Sequence, residues 1–159
     1  MMEIKLLLLL FVANGSPILA ARLLGDRWRK ALDNGRILSD GQPVLGSSKT
    51  IRGLASATLI TTLVAPLFGF SWMTGLLIGS FAMLGDLLSS FIKRRMKYAP
   101  SSMVFGLDQI PESLLPLLII RPLLEIDWLQ VATVTAAFLI VELPLSWLLC
   151  KVGIRKQPY

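Results

Sequence analysis

The chain alternates between long apolar segments and shorter polar ones. Apolar stretches cover roughly residues 4–24, 54–70, 73–92, 110–128 and 129–149, and each is close to the roughly 20 residues that a helix needs to cross a bilayer. This pattern predicts an all-α integral membrane protein built as a bundle of about five transmembrane helices. The bundle forms one membrane-embedded domain over residues 1–159.

Composition agrees with this pattern. The 159 residues are 54% hydrophobic with a mean hydropathy of +0.68, whereas a soluble domain is roughly 45–50% apolar. Five spans and their connections use the whole length, so no room is left for a separate soluble domain.

The positive charges gather in the polar segments. Of the 16 Lys and Arg residues all but Lys5 and Arg121 lie in 22–52, 93–97 or the tail 151–156, and the positive-inside rule places these three segments in the cytoplasm. This predicts a multi-pass protein of the plasma or inner membrane with the N-terminus outside and the C-terminus cytoplasmic. The net charge of +6 is thereby explained by topology, and no nucleic-acid partner is predicted.

The first apolar segment admits a second interpretation, a secretory signal peptide, because a short charged start leads to small residues at Ala20 and Ala21. The larger block of positive charge follows the segment, which favours a retained span. Within that span Asn14, Gly15 and Pro17 loosen the helix and suit a polar cavity. After it, a short helical extension through Trp28–Leu32 is expected.

The stretch Gly85–Gln109 holds the most unusual charge in the chain. Asp86 precedes the Lys93-Arg94-Arg95 cluster by seven residues, which is about 10 Å inside the helix end. A carboxylate at that depth costs about 2.5–3.5 kcal/mol on insertion scales, so a functional site is the first interpretation. A structural carboxylate paired with arginine is the second. Ser90 and Lys93 share one helical face with Asp86.

A second polar segment, Leu45–Gly53 (LGSSKTIRG), contains the residue types that are typical of a phosphate-binding site. It offers glycines, hydroxyls including that of Thr50, and the cations Lys49 and Arg52, which suit a phosphate. It is not a Walker A loop, because the spacing puts Pro43 where the first glycine belongs. A basic loop that touches anionic lipid headgroups is the alternative.

The remaining spans add three features. Proline interrupts the fourth span at positions 111, 116 and 122, and a broken helix at membrane depth is tolerated where it lines a cavity. Arg121 either borders that cavity or snorkels outward. Glu142 is a cavity candidate, with a solvated role or a pairing with Lys151 as equal alternatives. Gly75 and Gly79 form a small-residue packing face.

Residue types restrict the chemistry further. Cys150 is the single cysteine and there is no histidine, which excludes an intramolecular disulfide and a Cys/His zinc site. Asp86 and Asp108 are oxygen donors that suit Mg²⁺ together with substrate phosphates, and the cations suit a triphosphate. Phosphoryl or nucleotidyl transfer at the membrane surface follows, with the polar loops forming the active site.

At these residues the sequence resembles the CDP-archaeol synthase family, related to the bacterial CDP-diacylglycerol synthases. The resemblance lies in ANGSP at 13–17, DNGRILSDGQPVLGSSKTIRG at 33–53, GDLLSSFIKRR at 85–95 and GLDQ at 106–109. It implies an Mg²⁺-dependent enzyme that joins CTP to a lipid phosphate, releasing pyrophosphate, for phospholipid synthesis. A homodimer is left open.

Carried over by motif, the resemblance implies catalytic roles for Asp86, Asp108 and Lys93, the two aspartates holding the metal. The residues expected to bind substrate are Asn14, Lys49, Thr50, Arg52, Ser90 and Arg94. The chain lacks the Lys-Asp and His-Gly-Gly elements of the wider synthase signature, as the archaeal-type branch does. It has Pro111 and Glu112 where that branch more usually continues with apolar residues, so the lipid itself is not specified.

A small transporter or channel is the rival hypothesis, with Asp86, Arg121 and Glu142 along an ion path. It accounts for buried charge but not for the phosphate-type cations beside both aspartates.

Overall fold

The computed structural model describes residues 1–99 and 102–151, and for Leu149 the backbone only. Its five α-helices are α1 Met2–Leu24, α2 Ile51–Val64, α3 Trp72–Arg95, α4 Gln109–Leu124 and α5 Trp128–Lys151, and a 3₁₀ turn, Ala65–Phe68, extends α2. The described residues contain no β-strand, only the isolated bridges Ala31–Thr50 and Ile37–Pro43. The tail after 151 and its basic residues lie outside the described residues.

Local signals explain where the helices begin and end. The Thr50 hydroxyl accepts a hydrogen bond from the Gly53 amide at 3.1 Å and caps α2, and Ser71 caps α3 in the same way. These are standard N-terminal caps. Gly25, with a φ of 55°, ends α1 in a conformation that glycine adopts without steric cost. The expected extension through Trp28–Leu32 is therefore wrong, because turns replace helix after Leu24.

Four of the five described helices are long and apolar enough to cross a membrane, by length and composition, and α2 is so only together with the 3₁₀ turn that extends it to Phe68. The fourth, α4, has 16 residues and is about 24 Å long, shorter than the roughly 30 Å hydrocarbon layer. It ends at Leu124 because Glu125 takes a left-handed conformation with φ 54°, and Trp128 belongs to α5. The predicted fourth span, 110–128, is thus four residues too long at its end.

Close helix contacts depend on glycine. A Cβ placed on Gly79 would lie 2.9 Å from the Thr58 Cα, so α2 and α3 pack at a separation that a larger residue would prevent. A Cβ on Gly85 would press on the Pro111 carbonyl and lie 2.7 Å from the Glu112 nitrogen. The close approach of Gly85 to Pro111 therefore brings together Asp86 and Glu112, which follow these two residues in the sequence.

The two ends of the bundle differ. Residues 25–50, 96–99 and 102–108 gather at one end, here called the loop end, and the short turns 69–71 and 125–127 lie at the other, the turn end. The buried apolar core lies toward the turn end, with Leu6, Leu9, Ile78, Leu117 and Phe138 among its members. The space between the helices at the loop end is polar.

Candidate functional site

A cavity of about 670 Å³ opens at the loop end of the bundle. Its wall comes from the second half of α1, the segment around 48–54, and residues of α3, α4 and α5. Among the described residues, eight charged ones line it, four of each sign: Arg22, Arg29, Lys49, Arg52, Asp26, Asp86, Glu112 and Glu142. A cavity of this size with converging polar groups suits a small-molecule ligand.

The ion pair between Lys49 and Asp86 occupies the centre of the wall. The Lys49 ammonium contacts both Asp86 carboxylate oxygens, at 2.5 and 2.6 Å, and both side chains are about one-fifth exposed, 21% and 20%. The functional interpretation of Asp86 placed it in such a cavity, and the structural alternative named an arginine as its partner. The partner is a lysine from the loop.

Glu112 is the residue that sequence reasoning missed. Its side chain lies within hydrogen-bonding reach of the Asp86 carboxyl, and the residue is only 8% exposed. Two carboxyl groups this close repel one another when both are ionised, so a cation such as the Lys49 ammonium stabilises the pair. The signal was present in the sequence, because Glu112, like Asp86, is an ionisable residue within an apolar segment.

Lys49 is held positive by its surroundings. Burial lowers the pKa of Lys49, but the carboxyl groups of Asp86, Glu112 and Asp108 raise it, and the net direction is upward. The lysine therefore stays charged at neutral pH and neutralises the carboxylates around it. The Asp108 carboxyl contributes to this upward shift of the Lys49 pKa. Among the described residues, however, Asp108 is not one of those that line the cavity.

Charge is distributed by depth along the cavity. The basic residues at its mouth are open to solvent: the Arg29 side chain is 56% exposed and Arg22 is exposed as well. The carboxyl groups of Asp86 and Glu112 lie deeper and are far less exposed. A ligand that carries phosphates and a bound cation could contact the arginines at the mouth through its phosphates and the deeper carboxyl groups through its cation.

Lys93 and Arg94, both expected near substrate, turn instead toward the loop that follows α3. Lys93 pairs with Asp108 at 2.6 Å and donates to the Ser102 carbonyl at 2.7 Å. Arg94 donates to the Ala99 carbonyl at 2.8 Å and is 1% exposed. In the described part of the chain neither residue lines the cavity, and Ser90 does not either.

Asp108 is committed to the same loop. Besides its ion pair with Lys93 it accepts a hydrogen bond from the Val104 amide at 3.0 Å, and its side chain is 15% exposed. The two predicted metal ligands thus lie on different surfaces of the structure as it stands. Asp86 faces the cavity, and Asp108 faces the loop.

The other predicted substrate residues do line the cavity, and each is already engaged. Asn14 donates to the Leu10 carbonyl at 3.1 Å, and the Thr50 hydroxyl caps α2. Arg52 donates to the carbonyls of Gly25 and Arg27, at 2.8 and 2.6 Å. Arg52 therefore fixes the turn that carries Asp26 and Arg29 at the cavity mouth.

The segment Leu45–Gly53 supplies fewer free amide donors than its composition indicates. Asp33 accepts hydrogen bonds from the Leu45 and Gly46 amides, both at 2.9 Å, so an internal carboxylate occupies those two donors. Burial raises the pKa of Asp33, but these amides and that of Gly35 lower it below its usual value. The negative carboxylate thereby orders the loop.

The three residues of the ion-path hypothesis are not brought together. Asp86 and Glu142 line the cavity, but the Arg121 guanidinium lies 4.2 Å from the ring centroid of Trp128, near the turn end. This cation–π contact holds Arg121 away from Asp86.

The cavity's oxygen donors fit a magnesium ion that is completed by a ligand's phosphates. Asp86 and Glu112 are adjacent and face the cavity, and Mg²⁺ is typically bound through one or two carboxylates with waters and substrate phosphates. Within residues 1–99 and 102–151 there is no group of three or more metal-ligating side chains. The protein alone therefore does not provide a closed metal cage.

The chain is similar along its whole length to a family of known proteins. A family model described as CarS-like, CDP-archaeol synthase, matches residues 1–159. The CDP-archaeol synthase of Pyrobaculum calidifontis is 33% identical over 154 residues, which is 94% of this chain and 92% of that protein. The CDP-archaeol synthase of Pyrobaculum arsenaticum is 37% identical over 114 residues, 69% of this chain and 68% of that protein.

A solved structure described as an intramembrane enzyme for archaeal membrane lipids biosynthesis is also similar. It superposes with a TM-score of 0.72 at 28% identity and covers 89% of this chain and 90% of that one. The similarity therefore extends over nearly the whole helical bundle.

Proposed function

Because the chain belongs to the CarS-like CDP-archaeol synthase family, we propose that it transfers the cytidylyl group of CTP to a membrane lipid phosphate. The chain is a membrane-embedded nucleotidyltransferase with an all-helical fold. The relatives named CDP-archaeol synthase make an archaeol-type ether lipid phosphate the proposed acceptor, ahead of a phosphatidic-acid-like ester lipid. The products are a CDP-lipid and pyrophosphate.

The observation that carries the proposal is the depth ordering of charge in the cavity. Arginines at the mouth suit the polyanionic triphosphate, and the Asp86–Lys49 pair with Glu112 beside it lies below them. The cavity also reaches α1 and α5 at membrane depth, where Asn14 and Glu142 line it. A water-soluble nucleotide and a lipid headgroup can therefore meet in one space.

The reaction needs little from the protein beyond position and charge. An oxygen of the lipid phosphate forms a bond to the α-phosphorus of CTP while the bond from that phosphorus to the β-phosphate oxygen breaks. Pyrophosphate leaves with the electron pair, and no oxidation or reduction occurs. The attacking phosphate is ionised near neutral pH, so a general base is not required, and positioning with electrostatic stabilisation accounts for the catalysis.

Asp86, with Glu112 next to it, would hold Mg²⁺ together with the phosphates of CTP. When bound, the ion neutralises charge that develops on those phosphates and orients them. Lys49, which pairs with Asp86 in the structure, would then move to a phosphate oxygen. Asp108 stays in the proposed metal set on its sequence motif alone, and Lys93, which pairs with it in the structure, would have to release it first.

The membrane orientation is proposed from charge. Basic residues dominate the loop end, so we place the cavity mouth and the C-terminus in the cytoplasm and the N-terminus outside. Tags at residues 1 and 159 should report opposite sides of the membrane in an accessibility assay. Detection of both tags on one side would refute the orientation.

Pyrophosphate release by the purified protein tests the function. With Mg²⁺, CTP and an archaeol-type phosphate, the wild-type chain should release pyrophosphate and form CDP-lipid. Asp86→Asn should remove this activity, since the amide loses the charge that holds the metal and Lys49. Glu125→Gln is the matched control, because Glu125 is exposed at the turn end and should leave the rate unchanged.

Two results would count against the proposal. Absence of CDP-lipid with any lipid phosphate, in protein shown to be folded, would reject the reaction. Full turnover by Asp86→Asn would reject the assigned role of Asp86 while leaving the reaction in place.

A further inference from the structure

A small crevice of about 50 Å³ lies between α1 and α5, next to the main cavity. Asn14, Ile18 and Glu142 line both spaces. The crevice is mostly apolar, with Phe11 and Leu145 among its lining residues. It is therefore a lateral extension of the polar cavity toward the outer surface of the bundle.

The geometry of α1 and α5 explains why the crevice lies where it does. The two helices run parallel in a constant register. The side-chain amide of Gln130 donates a hydrogen bond to the Glu3 carboxylate at 2.8 Å, and the rings of Phe11 and Phe138 stack with centroids 5.1 Å apart. Each pair is 127 positions apart in the sequence. The helices thus contact closely from the turn end as far as the aromatic stack, which closes the crevice on that side.

Beyond the stack both helices carry a proline at the same level. Pro17 in α1 and Pro144 in α5 are again 127 positions apart. A proline inside a helix removes a backbone hydrogen bond and bends the axis. The two prolines thus lie at one level of a parallel helix pair, at the same level as the crevice on the loop side of the aromatic stack.

Gly15 widens this crevice. Apart from its two chain neighbours and the nearby backbone of α1, no described atom lies within 4 Å of a Cβ placed on Gly15. In the same register Gly15 lies level with Glu142. Gly15 is nine residues from the end of α1, and Glu142 is nine residues from the end of α5, so both lie about 14 Å from those ends. This is within the roughly 30 Å hydrocarbon layer.

We propose that the α1–α5 crevice is the lateral entrance of the lipid phosphate substrate, occupied by the first carbons of its hydrocarbon chain. The inference rests on the proposed function. The chain would run from the crevice into the surrounding bilayer, because the volume holds only a short apolar segment. The phosphate would lie in the polar cavity beyond Asn14, within reach of the Lys49 region.

The occupant follows from what surrounds the crevice. Its outer side faces the depth at which lipid tails lie, and its inner side joins a charged cavity. A molecule with an apolar chain and a phosphate head matches both sides, whereas CTP has no apolar part. The nucleotide already has a separate route of access at the loop end, through the arginine-lined mouth.

The test fills the crevice and measures each substrate separately. Gly15→Leu places a side chain in the open space, and helix propensity favours leucine over glycine, so the fold should be retained. For a long-chain archaeol-type phosphate in micelles the KM should rise about tenfold or more. The KM for CTP, and turnover of a water-soluble short-chain lipid phosphate, should stay within about twofold of wild type, since neither fills the crevice.

A matched control and a direct readout accompany the kinetics. Leu19→Phe enlarges a side chain on α1 that is 51% exposed and should leave the KM for the long-chain lipid unchanged. A long-chain lipid phosphate with a photoreactive group near its headgroup should cross-link to α1 and α5 peptides, and Gly15→Leu should reduce that cross-linking. Cross-linking does not require turnover, so it separates this inference from the reaction itself.

An unchanged KM for the long-chain lipid in folded Gly15→Leu protein would overturn the inference, as would cross-links confined to other helices. If the wild type formed no CDP-lipid but cross-linked to α1 and α5, the proposed reaction would fail and the lipid site would stand. Should Gly15→Leu unfold, Leu145→Phe narrows the crevice from α5 and is judged by the same criteria.

Discussion

The two halves of the bundle are built on different principles. Toward the turn end, aliphatic and aromatic side chains such as Leu9, Leu117 and Phe138 are fully buried against one another. Toward the loop end, the helices surround a charged cavity, and their contacts run through ion pairs and backbone carbonyls. The same helices therefore form the apolar core in their turn-end half and the charged cavity in their loop-end half.

This division indicates how a small membrane enzyme accommodates buried charge. Helix association in lipid depends on close packing and not on a hydrophobic driving force, and the glycine contact between α2 and α3 provides such packing. The loop half can then hold carboxylates that are costly at membrane depth. Substitutions in the two halves should accordingly change different measured quantities.

The largest effect is expected from Lys49→Met in the loop half. This change removes the cation that pairs with Asp86 and faces the phosphates, so kcat/KM for CTP should fall by about 10²–10³, the size seen when one charge-stabilising donor is lost. The unfolding temperature should change little, because the pair is partly solvent-exposed. Pyrophosphate release and thermal unfolding in detergent measure the two quantities.

Lys49→Arg serves as the control, since it keeps the charge and should retain more of the activity than Lys49→Met. If Lys49→Met instead lowered the unfolding temperature strongly while the folded fraction kept its rate, the loop half would be a structural region and the division would be wrong.

In the packed half, the substitution Gly79→Leu should lower the unfolding temperature. A Cβ at this position already lies 2.9 Å from the Thr58 backbone, so a leucine side chain forces α2 and α3 apart, at a cost of about 1–3 kcal/mol for overpacking. We expect a lower unfolding temperature and a normal rate per folded molecule. Gly15→Ala is the matched control for stability, because its added methyl group meets open space.

A normal unfolding temperature for Gly79→Leu would contradict the tight α2–α3 contact. A lost rate with intact stability would show that the packed half takes part in the chemistry.

The sequence predicts the packed half better than the loop half, and the reason is physical. Apolar segments and glycine spacing are local properties, so four long spans and the packing face at Gly79 could be read directly. The position of Asp86 in a cavity followed from the cost of charge in a membrane helix. Each of these inferences needs only the residues of one helix.

The sequence did not predict the contacts that α3 makes with the loop after it and with α4. The chain reverses after α3, where Lys97 takes a left-handed conformation with φ 61°, and this turn brings Ser102 and Asp108 to Lys93 and Ala99 to Arg94. No helical periodicity shows that reversal. Glu112 was missed because its proximity to Asp86 depends on the Gly85 contact between two helices.

The smallest expected effect concerns the order of the loop itself, through Asp33. Its amide partners lower the pKa of Asp33 below the ordinary value of 3.8 despite burial, so the folded loop binds the proton more weakly than the unfolded loop. The contribution of the carboxylate to loop stability is therefore complete above pH 3.8 and is lost as the pH falls through the lower, folded pKa. Hydrogen exchange at the Leu45 and Gly46 amides should accelerate, relative to a reference peptide, only in that acid range.

In Asp33→Asn the same amides should exchange about fivefold faster at neutral pH, equivalent to about 1 kcal/mol of local opening, and the acid-dependent acceleration should disappear. Asp40→Asn is the comparison, because Asp40 accepts from the single amide of Gln42 and from Arg95, away from those two donors. The turn-end core should keep its protection in both variants, since its contacts do not include the loop. Equal exchange of Leu45 and Gly46 in wild type and Asp33→Asn would mean that the loop is ordered by its ties to Arg52 and Arg95 alone.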